Sequence, residues 1–145
     1  MTAPTLSGYT LAVSDLDATS AWYRRQFALT AVGDFALEPY DLRGVALAAP
    51  NGWSIELLQR AGASAADAVA HPLDTALRTG YGFVQLDVDD LEATVAAVVA
   101  DGGAALMPPH PGPGGLAAFV ADPEGNVLRL RDPAAPVPPP GPQAD

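Results

Sequence analysis

One stretch of the chain occurs twice, and it limits what the chain can become. Residues 11–23 read LAVSDLDATSAWY and residues 86–98 read LDVDDLEATVAAV. An offset of 75 positions lays Leu11 on Leu86, Val13 on Val88, Asp15 on Asp90, Leu16 on Leu91 and Thr19 on Thr94. A second echo follows each copy in the same order: APNGWSIEL at 49–57 and DPEGNVLRL at 122–130, offset by 73. A repeat of this length is one supersecondary unit, and its apolar face needs a neighbour to bury it. The chain is therefore expected to fold as two similar units.

The length of 145 residues suits one domain or two fused half-domains, and 49% hydrophobic residues suffice for a core. The formal net charge of −10 argues against nucleic acid and against an anionic membrane surface, since both need a basic footprint. All seven basic residues are arginine, and there is no cysteine. This removes Schiff-base lysines, cysteine nucleophiles, thiolate metal sites and disulfides. The N-terminus lacks the pattern of a signal peptide, and no apolar run is long enough to cross a bilayer. A soluble cytoplasmic protein is expected.

Residues 1–59 are expected to form a first module, 60–80 a connector, 81–131 a second module and 132–145 a proline-rich tail. In the first module residues 8–13 alternate as a strand. Tyr9, Leu11 and Val13 face one side; Gly8, Thr10 and Ala12 face the other. Ser14 or Asp15 caps a helix whose inward stripe is Leu16, Ser20, Tyr23 and Phe27. Trp22, Tyr23 and Phe27 are assigned to helix-on-sheet packing. Strands follow near 29–35, 43–49 and 53–59, with Asn51-Gly52 turning the last hairpin. The connector is given a short helix near Ser64–Val69. The second module repeats the plan. A strand at 82–88 leads to a helix over Asp90–Ala100 with Leu91, Val95 and Val98 inward and Gly102 as its stop. Then come a strand at Ala104–Met107, a Pro/Gly loop at 108–115, a strand at Ala117–Ala121, a turn at Asp122–Asn126 and a last strand at Val127–Arg131. From Asp132 the composition excludes regular helix or sheet.

Two βαβββ units that carry VSDLxxxxxWY (Val13–Tyr23) at the first strand–helix junction and DPEGNVLRL at the last hairpin resemble the vicinal oxygen chelate superfamily. That is the family of glyoxalase I, extradiol dioxygenases, methylmalonyl-CoA epimerase and the fosfomycin and bleomycin resistance proteins. The resemblance covers roughly residues 8–131. It implies an α+β fold in which two βαβββ modules form a cup-shaped, eight-stranded mixed sheet arrangement, and it implies a homodimer. It also implies a divalent ion held by four strand positions facing the cup. Carried over one by one, these are Gly8, Glu56, Phe83 and Arg129. Glycine and phenylalanine offer no donor, and a guanidinium repels a cation. One carboxylate does not make a site for Zn, Ni, Mn or Fe. No metal and no other cofactor are therefore expected. Glyoxalase I, extradiol dioxygenase and metal-dependent epimerase activities are excluded on the same ground. His71 and His110 both precede proline in loop-like sequence, away from the cup strands. The resemblance allows the loop of His110 to overhang the cup.

Alternation sends Thr10, Ser54, Glu56, Phe83, Gln85, Asp87, Val127 and Arg129 into the cup. An apolar wall with a few convergent polar groups is the make-up of a small-molecule pocket. If Arg129 pairs with Glu56, the carboxylate is a weak base. If Arg129 turns to a ligand, Glu56 is free to act as general base and Arg129 to stabilise an enolate or phenolate. Phe83, and Trp53 if it reaches over from the hairpin tip, would stack on a flat ligand; Trp53 is equally a turn residue or a dimer contact. Two functions stay open. One is metal-independent binding of an aromatic or secondary-metabolite ligand, as in the bleomycin-type resistance proteins; the acidic charge would suit basic drugs. The other is a metal-free isomerase, cyclase or lyase of a secondary metabolite. There Glu56, Asp87 or His110 would supply acid or base, with Arg129 as electrophilic partner.

Overall fold

A computed structural model describes residues 2–65, 67, 69–112 and 114–135. The chain divides into two compact units, residues 1–67 and 68–145. The first runs β1 (Gly8–Ala12), α1 (Leu16–Phe27), β2 (Thr30–Leu37), β3 (Leu42–Ala48) and β4 (Ser54–Arg60). The second runs β5 (Val84–Asp87), α2 (Leu91–Ala100), β6 (Ala104–Gly112), β7 (Gly115–Ala121) and β8 (Val127–Asp132). The strand orders are β1-β4-β3-β2 and β5-β8-β7-β6. In each unit the first strand pairs parallel with the last, and the other pairs are antiparallel. This is the expected α+β plan: two βαβββ modules, each a four-stranded mixed sheet with one helix.

The sequence echoes are the same local structures built twice. Asp15 and Asp90, not Ser14, cap the two helices. Each Oδ1 accepts from the amide three residues on, Ala18 and Ala93, both at 3.0 Å. The first turn of a helix leaves such amides without a partner, and the carboxylate supplies one. Replacing either aspartate with alanine is expected to lower stability by about 0.5–2 kcal/mol. Urea unfolding of each variant measures this; an unchanged midpoint would remove the cap's role. The turns also match. The Ala49 amide donates to the Trp53 carbonyl at 2.9 Å, and the Asp122 amide donates to the Asn126 carbonyl at 2.9 Å. Gly52 and Gly125 sit at φ 101° and 90°, a region that suits glycine. The register of the second strand slips in both units, between Ala31 and Gly33 and between Ala105 and Met107.

In each unit the helix covers one face of its sheet. Leu16, Thr19, Trp22 and Tyr23 of α1 are buried, as are Val45, Leu47, Ile55 and Leu57 of the sheet beneath. The inward stripe differs from the expected one. Thr19 and Trp22 take the places given to Ser20 and Phe27. The indole turns inward and packs edge-on against Tyr23 at 4.9 Å and Phe27 at 5.9 Å. In the second unit Leu91 and Val98 of α2 are buried with Val120, Leu128 and Leu130.

Three expected features differ. The connector's short helix is a 3-10 turn at Pro72–Leu77. The described residues of 64–69 carry no helix, and residues 66 and 68 lie outside the described residues. Proline suits a first helical position, and His71 caps the turn, its Nδ1 accepting from the Leu73 amide at 3.2 Å. The Pro/Gly stretch is strand rather than loop as far as Gly112. β6 is a sheet edge, where a proline's missing N–H breaks no ladder bond, and a second register slip between Met107 and His110 accommodates the ring-constrained backbone. Asp132 ends β8 instead of opening the tail. Its Oδ1 accepts from the amides of Ala134 and Ala135, both at 3.0 Å. The rest of the tail, 136–145, lies outside the described residues. Among the described residues no helix is long and apolar enough to cross a membrane.

Candidate functional site

The candidate residues of the first unit stand on β1 and β4, on the sheet face away from α1. Thr10 lies opposite Glu56 and Gly8 opposite Ser54. Thr10 and Glu56 are exposed. Within its own unit, among the described residues, Glu56 has no hydrogen-bond or ion-pair partner. Ser54 Oγ donates to the Ser7 carbonyl at 3.2 Å. A Cβ on Gly8 would stand 2.3 Å from the Ser54 carbonyl oxygen. The close approach of β1 and β4 therefore requires glycine, and no side chain can project there unless a strand moves. Trp53 is half-buried and precedes β4 rather than standing on it. Phe35, which the sequence reading passed over, lies on the helix-free face with its ring over Gly44. A Cβ at Gly44 would meet that ring at 2.3 Å. An open groove of ≈ 840 Å³ in this unit is bordered by residues of α1, β2 and β3, among them Asp17, Arg24, Asp34, Phe35, Arg43 and Gly44. None of the candidate residues lines it.

In the second unit register sets two pairs side by side: Gln85 with Arg129 and Asp87 with Arg131. Arg129 Nη1 donates to Gln85 Oε1. Arg131 donates from Nε to Asp87 Oδ1 at 2.8 Å and from Nη2 to Oδ2 at 3.0 Å. This two-pronged hydrogen bond holds the Asp87 carboxyl below the usual carboxylate range, which makes Asp87 a weak base. Phe119 of β7 lies opposite Arg129 and is buried. Phe83 meets its ring edge-on at 5.0 Å, and His110 stacks on it at 6.2 Å with planes 9° apart. Val127, on the same face, is buried.

His110 is thus a strand residue on the helix-free face, not the loop residue that its proline neighbours suggested. Its Nδ1 lies 2.8 Å from the Pro108 carbonyl. A carbonyl only accepts, so Nδ1 carries the proton and Nε2 is left for another partner. His71, by contrast, spends its Nδ1 on the Leu73 amide. Phe119, which no sequence motif marks, is the hub of this cluster. Alternation followed through β7, from Ala117 to Phe119 to Ala121, puts it in the row of Arg129.

The four positions at which the resemblance implies metal ligands hold Gly8, Glu56, Phe83 and Arg129. Among the described residues no three His, Cys, Asp or Glu side chains are grouped so as to hold an ion. This donor set does not fit a divalent cation.

A model of the Glyoxalase/Bleomycin resistance protein/Dioxygenase superfamily matches residues 5–130, and the chain belongs to that family. Solved structures agree on the fold. The trypanothione-dependent glyoxalase I of Leishmania major superposes with a TM-score of 0.70 at 19% identity, over 90% of this chain and 88% of that one. A glyoxalase family protein of Bacillus cereus gives 0.73 at 16% identity, over 91% and 95%. The fosfomycin resistance protein FosX of Listeria monocytogenes gives 0.66 at 16% identity, over 90% and 94%. No curated protein matches the chain.

Proposed function

We propose that the protein is a metal-independent small-molecule-binding protein of the glyoxalase/bleomycin-resistance type, which takes an aromatic or secondary-metabolite ligand. The observation that carries this reading is the helix-free face of the second unit. There Phe83, Phe119 and His110 form an aromatic cluster beside Arg129 and Gln85. Flat rings with a few polar groups at one edge are what a small aromatic molecule needs. The poor donor set at Gly8, Phe83 and Arg129 supports binding without an ion. A resistance role by sequestration, a cytoplasmic location and a homodimer belong to the same reading.

One observation favours a second reading. Glu56 has no partner in its own unit and is accessible to water and ligand. On that reading the protein is a metal-free isomerase, cyclase or lyase with Glu56 as general base. Native mass spectra of the protein incubated with a panel of aromatic and polyketide-like metabolites, with the supernatant analysed for products, separate the two. Sequestration predicts a bound compound recovered unaltered, with Glu56→Gln largely sparing binding. A new isomer or a loss of water, abolished in Glu56→Gln, would establish turnover instead. If no compound of the panel binds, the binding reading fails.

A further inference from the structure

The two arginines of β8 share one face but differ in charge balance. Arg131 is neutralised by Asp87, which grips it at 2.8 and 3.0 Å. Arg129 has only the neutral amide of Gln85. No carboxylate of its unit pairs with it among the described residues. A guanidinium has five N–H donors in a planar fork, and one acceptor oxygen leaves most of them unused. A Cβ on Gly112 would stand 3.2 Å from Arg129 Nη2. Any larger residue at 112 would press on the guanidinium, so glycine is what lets the Arg129 side chain lie there. Gly112 lies two residues beyond His110 on β6, with no register slip between them. Arg129 therefore shares its face with the aromatic cluster, opposite Phe119 and beside the row of His110 and Gly112.

We propose that this face selects a flat aromatic carboxylate. Its ring lies against Phe83 and His110, and its carboxylate takes the unused N–H groups of Arg129. His110 Nε2 accepts from a hydroxyl where the ring carries one. The inference rests on the small-molecule reading above and reverses the expectation that an acidic chain prefers basic ligands. The net charge of −10 acts at long range and is screened within about 8 Å at physiological salt, whereas Arg129 acts at contact. Charge-assisted bidentate hydrogen bonds to a carboxylate outweigh neutral ones, and lysine cannot copy that geometry.

The test is calorimetric titration of the full chain at physiological salt with three probes of one shape: 2-naphthoate, 2-naphthamide and 2-naphthylmethylammonium. Naphthoate should bind at least about tenfold tighter than naphthamide, and the ammonium weakest. Arg129→Gln, checked for unchanged melting, should erase the preference for naphthoate, and Arg129→Lys should restore part of it. Phe83→Ala should weaken all probes and so locate them on this face. Naphthamide or the ammonium binding as tightly as naphthoate would overturn the anion preference while leaving the small-molecule reading intact, provided Phe83→Ala weakens them. A preference that survives in Arg129→Gln would overturn it equally. If none of the three binds, the site reading and the inference fall together.

Discussion

Trp22→Ala is expected to destabilise the first unit by about 3–5 kcal/mol, the range for removing a large aromatic side chain from a core. The indole is 2% exposed, inside α1's contact with β3 and β4, and it touches both Tyr23 and Phe27. Its loss removes apolar burial and leaves a cavity that Tyr23 and Phe27 can only partly fill, since each is fixed on the same helix. Domains are stable by about 5–15 kcal/mol, so the variant should sit close to unfolding. Trp22→Phe keeps most of the volume and should cost far less. Urea melts of the three proteins, followed by circular dichroism, give the ranking. A loss below about 1 kcal/mol in Trp22→Ala would mean that α1 does not anchor this sheet.

Asp122→Ala is expected to cost about 2–4 kcal/mol, because its buried carboxylate accepts three hydrogen bonds in addition to those that close the turn through the backbone. Asp122 is 3% exposed. Its Oδ1 accepts from the amides of Glu124 and Asn126, both at 2.9 Å, and its Oδ2 accepts from Asn126 Nδ2 at 2.9 Å. Alanine would leave those amides without their acceptor in a partly buried hairpin. The first unit makes the same backbone turn with Ala49 at the matching position, so the carboxylate is an addition of the second unit rather than a requirement of the turn. Asp122→Asn keeps one acceptor and should lie between wild type and alanine. Amide exchange at Glu124 and Asn126 reports the site directly: it should quicken in Asp122→Ala, and unchanged exchange would remove the carboxylate's role.

The repeat was the most legible part of the chain. Caps and turns are local, so the paired sequences of Asp15 and Asp90, and of 49–53 and 122–126, state their own geometry. The edge strand β6 was not legible, because Pro108, Pro109 and Pro111 read as a break unless the strand is known to be at an edge. That error also misplaced His110. Gly8 read as a vanished ligand, while the structure gives it a steric cause in the Ser54 carbonyl. Only the distance between two strands reveals that. Phe119 on β7 and Phe35 on β2 belong to no motif of the repeat, and only alternation carried through those strands puts them on the helix-free face. Arg129's partner depended on a side-chain choice between Gln85 and Glu56 that no periodicity fixes.

Ligand binding on this chain is expected to need no metal ion. Native mass spectrometry of protein dialysed against a chelator, titrated with 2-naphthoate, tests it most directly. A ligand adduct is expected on the metal-free chain, unchanged when Zn, Ni, Mn or Fe is added back. An adduct that forms only after one of those ions is restored would contradict it, as would a tightly held equivalent of ion in the protein as purified.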